Sequence, residues 1–395
     1  MKKLLLLIVA AAGCFAQKRI VIQTSTILDG KGGVLKDQQI VIEGSVIRVV
    51  AAGKAKADYD LRGLTVMPGW IDTHIHLNWH MDANNKSVSG GGKPDDMALA
   101  TAGDAFLTLS GGFTTVQSVG AAIDGPVRDY VARGLLAGPR ILTSLRQIQG
   151  TLPDHTRPDA EALRALVRRT KEEGADVIKL FATTGLGAGG EQSMTDEQIQ
   201  AVCSEAKAVG LRSVVHAIGD AGARAAVLAG CTSIEHGTFL KDETLDLMAQ
   251  RGTFFDPNLL VLHNYLDHRK SYTFNDASLA TIEKGISPTE DVLRRARARH
   301  VKIAFGTDAV AGSHGRNAEE FVYRVRDSHE KPMDALMSAT SVSAESLGFS
   351  KEIGTVAAGF QADLVATDGN LLEDITAVRR VVFVMKGGQV YRFQR

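Results

Sequence analysis

Two histidines close the apolar stretch Val66 to Leu77, in Pro68-Gly69-Trp70-Ile71-Asp72-Thr73-His74-Ile75-His76. On an extended strand a spacing of two residues puts both imidazoles on the same side of the backbone. The pair can then grip one cation, although paired histidines also arise on exposed strands with no ion. Four further segments bear on the choice: Val177-Ile178-Lys179-Leu180-Phe181, Val215-His216-Ala217, Ile234-Glu235-His236-Gly237 and Phe305-Gly306-Thr307-Asp308-Ala309. Each carries a metal-compatible side chain at or near the end of a short apolar run. Of eleven histidines in the chain, four (His74, His76, His216 and His236) sit at such ends. Scattered histidines would not be placed this way, so these residues are read with Lys179 and Asp308 as one cluster for metal chemistry.

Lys179 needs a separate argument, because an ammonium is a poor partner for a cation and is disfavoured inside an apolar strand. Burial lowers a lysine's pKa, and the neutral amine can react with carbon dioxide to give a carbamate, an oxygen donor able to bridge two metals. The alternative is a lysine paired with a buried acid. Both stand at this point.

The elements that must position these side chains follow from the patterning. Residues 17–65 read as β-structure, with Ile20-Val21-Ile22, Gln39-Ile40-Val41-Ile42 and Val46-Ile47-Arg48-Val49-Val50. Residues 351–395 have the same texture, with Ala362 to Val365, Val381 to Met385 and Gln389-Val390-Tyr391. The two ends are expected to build one small composite β-sandwich domain. Between them, residues 66–350 alternate short apolar strands with amphipathic helices, the pattern of βα units and a parallel sheet. Candidate strands are Val66 to Leu77, Thr114 to Val119, Arg140 to Leu145, Asp176 to Phe181, Ser213 to His216, Ser233 to His236, Thr253 to Phe255 and Lys302 to Thr307. Eight such strands predict an α/β fold of the (β/α)8, TIM-like barrel type, in which catalytic groups gather at the C-terminal ends of the strands. Helices are expected over Asp159 to Glu173, after a capping box at Thr195-Asp196-Glu197-Gln198, and over Asp291 to His300. The longest connection, Asn258 to Pro288, is expected to be a lid.

With these residues in place the chain resembles the amidohydrolase superfamily, in the group of imidazolonepropionase-like hydrolases and metal-dependent Xaa-Pro dipeptidases. The likeness rests on residues 68–76, Gly-Ala-Asp-Val-Ile-Lys at 174–179, Ser-Ile-Glu-His-Gly-Thr at 233–238, Gly-Thr-Asp-Ala at 306–309 and the 354–364 stretch. It implies two divalent metal ions, zinc first, with manganese or cobalt as substitutes. His74 and His76 would bind one, His216 and His236 the other, and Lys179 as its carbamate would bridge them. Asp308 would bind the first ion and carry the proton from the attacking water to the leaving nitrogen.

Pocket residues are less sharply marked. His155 lies in the loop after the third strand, where relatives carry a glycine-rich Gly-Gly-His form that this chain lacks. His314 follows Asp308 near the expected rim, Arg224 and Tyr265 are further candidates for substrate contact, and Trp79 with His80 could wall the pocket. Two residues after His216, where relatives often place tyrosine or histidine, stands Ile218, which weakens any transfer of Xaa-Pro specificity. Glu235 is expected to orient a ligand. The reading is a metal-dependent hydrolase of an amide C–N bond in a small substrate, such as a dipeptide or N-acyl amino acid. Hydrolysis of a cyclic amide or lactone is the alternative, and a silent binding protein on the same fold is the rival of another class. Enzymes of the imidazolonepropionase type typically use one metal and lack the strand-four lysine, so Lys179 argues for two.

Composition fits this picture. The chain is 44% hydrophobic and 23% charged with zero formal net charge and no long basic block, which offers nothing to nucleic acid. A homo-oligomer is compatible with it. Lys2-Lys3, the apolar run Leu4 to Ala12 and the small residues after it have the layout of a secretory signal over 1–16, too short to span a bilayer. Cleavage after Ala16 would give an exported, periplasmic or secreted protein with 43 basic and 45 acidic residues. Lipidation at Cys14 is the alternative and would anchor it to a membrane. Cys203 and Cys231 then remain, and each is expected to be a small buried hydrophobe rather than part of a disulfide framework.

Overall fold

The computed structural model describes residues 18–152 and 154–394, so the expected leader, its cleavage after Ala16 and the Cys14 alternative lie outside the described residues. Two parallel sheets occupy the middle of the chain. One runs in the order Arg140–Thr143, Phe113–Ser118, Trp70–Ile75; the other in the order Gln147–Ile148, Val177–Phe181, Arg212–Gly219, Ser233–Phe239, Phe254–Asp256. The strands Trp70–Ile75 and Phe113–Ser118 are buried at every position, as parallel strands covered on both faces must be. Helices Pro94–Ser110, Asp124–Ala132, Ala160–Glu172, Asp196–Ala208, Asp220–Leu228 and Asp242–Arg251 alternate with the strands. Their caps match the side chains: Asp159 accepts from Ala162 N at 2.8 Å, and Thr195 with Gln198 forms the expected capping box.

Several expectations need correction. The stretch 66–77 is not one strand. Tyr59–Pro68 belongs to the outer sheet and Trp70–Ile75 to a parallel one, and the break falls at Gly69, where a Cβ would collide with Thr114. Lys302 to Thr307 is not a regular strand either, because Asp308 adopts φ 50° and Asp256 takes the Gly306 N–H, interrupting a ladder. The segment nevertheless bonds to both parallel sheets. Phe255 N donates to Lys302 O at 2.8 Å and Ala304 N to Phe255 O at 2.9 Å. On the other side Thr73 N donates to Phe305 O at 2.8 Å, Asp308 N to His74 O at 2.7 Å and His76 N to Ala309 O at 2.9 Å.

The 258–288 connection, expected as a lid, is built of helices. It holds Leu259–Asp267 and the first half of Asp276–Ala298, a helix that runs through Pro288 instead of starting at Asp291. An internal proline costs about 3 kcal/mol. The stripe of Ile282, Gly285, Thr289, Val292, Leu293 and Ala296 is buried along one face and outweighs that cost. Cys203 and Cys231, expected as separate buried thiols, form a disulfide with Cα atoms 5.3 Å apart. They are 28 residues apart, close to one βα repeat, so adjacent units carry them to the same level. Sequence spacing alone did not reveal that packing.

Strands from both chain ends meet in one eight-stranded sheet. Its order is Gln389–Phe393, Val381–Lys386, Leu364–Thr367, Tyr59–Pro68, Arg19–Leu28, Gln39–Glu43, Val46–Ala51, with Val34–Lys36 paired to Arg19–Leu28. Ile20, Ile22, Ile40, Ile42, Phe383 and Met385 pack together on it. Trp70 joins Phe113 and Phe321 with ring centroids 5.5 and 5.2 Å away, and Phe305 lies 4.2 Å from Phe321, so the backbone leading into His74 and into Asp308 is anchored in aromatic core.

Candidate metal centre

Strand register aims the central side chains. Phe181 pairs with His216, His216 with Glu235 and Glu235 with Asp256, which puts all four on one face, and Lys179 shares it two residues before Phe181. His236 pairs with Ala217 and has the opposite parity. Its φ of 69°, followed by Gly237 at 59°, turns the imidazole back to 4.5 Å from the His216 ring and 5.4 Å from the His74 ring. Asp308 at φ 50° is re-aimed in the same way. Left-handed backbone at a residue other than glycine costs on the order of 1 kcal/mol and concentrates at functional sites.

His74, His76 and Asp308 come together as a group whose potential ligand atoms all lie within 4.8 Å of one another. Asp308 Oδ1 is 3.1 Å from His76 Nε2 and 3.5 Å from His74 Nε2, yet it is buried without an aligned hydrogen bond. Lys179 Nζ lies 3.2 Å from His74 Nε2. On its other side, His74 Nδ1 is 2.8 Å from Glu235 Oε2, while Ser233 Oγ donates to Glu235 Oε1 at 2.5 Å. A carboxylate only accepts, so Nδ1 carries the proton and Nε2 presents its lone pair towards Lys179 and Asp308. His216 stacks on Phe181 at 4.7 Å, and Lys179 Nζ stands 5.4 Å from that same ring. The six candidate ligands are all buried.

A second layer of polar side chains, missed by sequence reasoning, fixes this group. Asp72 accepts from Thr307 Oγ1 at 2.6 Å, Asn317 Nδ2 at 2.8 Å and Thr307 N at 3.1 Å, tying the Trp70–Ile75 strand to the Asp308 segment. Asp256 does the same with Thr73 Oγ1 and Gly306 N, both at 2.5 Å. The available signal was parity: Asp72 stands two residues before His74 on the same face. Nothing in the local pattern marks Asn317 or Asp256.

Burial governs the electrostatics. It pushes His74 and His236 well below the usual imidazole range and His216 to about 3, and Lys179 adds to each of these shifts. Burial thus favours the neutral imidazole, the form that binds metal, in all three. Burial also lowers the Lys179 amine to about 8, against the pull of Glu235 and Asp308, and raises Glu235 to about 7. Burial works against ionisation of Asp308, but its His74, His76 and Lys179 neighbours hold the carboxyl below the usual range.

The pocket candidates fare differently. His155 is exposed in a turn at φ 64° and Arg224 is exposed on the helix Asp220–Leu228, so neither joins the cluster. His314 is buried with Nε2 2.9 Å from Trp79 O, behind the ring that stands 5.3 Å from His76. It holds a wall in place. Tyr265 packs with Trp79, Leu186, Ile218, Val261 and Val310 in an apolar cluster contributed largely by the 259–286 helices. Ile218 and Val310 stand two residues beyond His216 and Asp308, so this cluster lies against the same centre.

The donor set fits divalent cations. Neutral imidazoles, a carboxylate and an amine converge, and the buried Asp308 Oδ1 lacks a hydrogen-bond partner that an ion would replace. The profile of the amidohydrolase family matches residues 65–391. A solved Xaa-Pro dipeptidase with bound methionine in the active site is 32% identical, with a TM-score of 0.86 over 95% of this chain and 100% of that one. Ochratoxinase of Aspergillus niger is 25% identical over 95% of this chain and 87% of its own length, and imidazolonepropionase of Rhodococcus jostii 24% over 88% and 86%. With the profile spanning most of its length, this chain belongs to the amidohydrolase family.

Proposed function

We propose that this protein is a two-metal hydrolase of an amide C–N bond in a small substrate, a dipeptide of the Xaa-Pro type or an N-acyl amino acid. The observation that carries this reading is the approach of Lys179 Nζ to within 3.2 Å of His74 Nε2, beside Asp308. A lysine placed there has a use as a carbamate: its neutral amine adds to carbon dioxide, forming an N–C bond and releasing one proton. The amine lowered to about 8 supplies that neutral form. His74, His76 and Asp308 would hold one ion, His216 and His236 the other, with the Lys179 carbamate between them. Zinc is the first choice. Such ions supply Lewis acidity, acidifying water and polarising a carbonyl.

The chain's own residues do the rest. Glu235 fixes the His74 tautomer through Nδ1. Asp308, ionised and free of an aligned donor, takes a proton on a carboxylate oxygen and returns it to the departing nitrogen. The apolar cluster of Trp79, Ile218, Val261 and Tyr265 excludes water and favours an uncharged side chain on the substrate.

Three further parts belong to this reading. The two parallel sheets and the 302–309 segment between them are taken as a (β/α)8 barrel. The strands from residues 17–65 and 351–395 are taken as a composite domain. Export is supported by the Lys2-Lys3 leader and by the Cys203–Cys231 disulfide, which suits an oxidising compartment.

The test is metal analysis of the purified protein together with a hydrolysis panel of Xaa-Pro and other dipeptides, N-acyl amino acids and lactones. Two equivalents of metal with turnover of amides are expected. Turnover confined to lactones would overturn the amidase reading.

A further inference from the structure

A cavity of about 380 Å³ lies between the last hairpin, Val381–Lys386 and Gln389–Phe393, and the helix Asp124–Ala132 with the strand Arg140–Thr143. Arg128, Arg140 and Lys386 line it with Gln389 and Tyr391, and no acidic residue does. Arg128 is already neutralised, donating from Nε to Asp129 at 2.9 Å and from Nη1 to Asp176 at 2.8 Å. The other two share a single carboxylate, Asp363. Lys386 Nζ donates at 2.5 Å to a backbone carbonyl, Gly138 O. Arg140 Nη2 stands 3.9 Å from Asp363 Oδ2, beyond hydrogen-bond reach, and its Nε is buried with no acceptor.

Asp363 is the carboxylate near both, and it is partly occupied: Oδ1 accepts from Gly387 N at 2.6 Å while Oδ2 has no hydrogen-bond partner. One carboxylate thus stands against two cations and leaves a positive charge in a partly desolvated cleft. Burial, with Asp363 opposing and Arg140 reinforcing, pushes the Lys386 amine down to about 8. Tyr391 closes the side, its ring centroid 5.7 Å from Lys386 Nζ. Charge held this way is costly unless a counter-charge with acceptor oxygens completes it. The cavity is large enough to admit a small oxyanion, and its two cations come from the outer sheet and from the parallel sheet.

We propose that this cavity binds a small oxyanion of the phosphate or sulfate class between Arg140 and Lys386, clamping the terminal hairpin to the parallel sheet. Arg140 begins its strand, whereas the histidine cluster gathers at strand C-terminal ends, so the site is separate from the metal centre and does not rest on the hydrolase reading.

Calorimetric titration of the metal-loaded full chain with inorganic phosphate, at ionic strength held constant with chloride, tests this. A saturable event is expected, weakened about tenfold or more in Lys386→Met and in Arg140→Met, and kept in Lys386→Arg. Turnover and melting temperature without phosphate should stay near wild type in Lys386→Met, and Lys386→Gln serves if that variant folds poorly. Glycerol 3-phosphate binding more tightly than phosphate would assign the site to an ester, and weaker binding to the free ion. No saturable event in the wild type, or undiminished binding in the folded Lys386 variants, would overturn the proposal.

Discussion

Glu235 Oε2 lies 2.8 Å from His74 Nδ1, both side chains about 1% exposed, and this contact decides which nitrogen of His74 faces the centre. Glu235→Gln should keep the volume but replace the acceptor by an amide that can flip. The expected result is metal affinity lower by about 10–100-fold, with activity restored by excess metal. Metal titration of the stripped variant checks it, and wild-type affinity would remove Glu235 from the orienting role.

Asp308 combines a left-handed backbone, a carboxyl held below its usual range and an oxygen with no aligned donor. Asp308→Asn retains shape and loses the ability to accept a proton. A fall in kcat of about 10²–10⁴-fold is expected with unchanged circular dichroism. Turnover near wild type in that variant would place proton transfer elsewhere.

Lys179 should make metal stoichiometry depend on carbon dioxide. Protein stripped of metal and reloaded in carbon dioxide-free buffer is expected to take up one ion, and added bicarbonate to raise the uptake to two. Lys179→Met should hold one ion whatever the bicarbonate concentration. Equal loading of wild type with and without bicarbonate would leave Lys179 as an ordinary buried lysine.

Features legible in the chain were those carried by local periodicity. The spacing of two in His74 and His76, the βα rhythm and the Thr195–Gln198 cap each depend on neighbours a few residues away. Features settled by distant contacts were not. Asp72 reaches Asn317 across the fold, Cys203 finds Cys231 only when adjacent βα units pack, and the helix through Pro288 owes its existence to a buried stripe. His155 lies exposed in a turn apart from the histidine cluster, a placement that depends on the course of its loop and not on its neighbours in sequence.

The Cys203–Cys231 bridge should be a stability element. It closes a loop of 28 residues, for which the chain-entropy model gives about 3–4 kcal/mol. Both residues are at most 3% exposed, so reduction is expected to need partial unfolding. Urea denaturation of wild type and Cys203→Ala/Cys231→Ala, with and without reductant, measures this. A reductant effect that persists in the double variant would show another origin.

Asp124 supplies a pH dependence from outside the candidate ligand set. Its Oδ2 accepts from Ser118 Oγ at 2.8 Å and Ala121 N at 3.2 Å, its Oδ1 has no partner, and burial raises the carboxyl to about 7 against those hydrogen bonds. The unfolded value is about 3.9. A raised acid means the folded state binds the extra proton between those two values. Stability from this group is therefore greatest below about pH 4 and declines through about pH 7, after which the loss is constant. Asp124→Asn removes the ionisation, so the variant should gain on wild type by on the order of 2 kcal/mol between about pH 5 and pH 8. Urea unfolding at both pH values gives the comparison. Parallel stability curves for the two proteins would mean that Asp124 ionises freely in the folded state and that its burial costs nothing at alkaline pH.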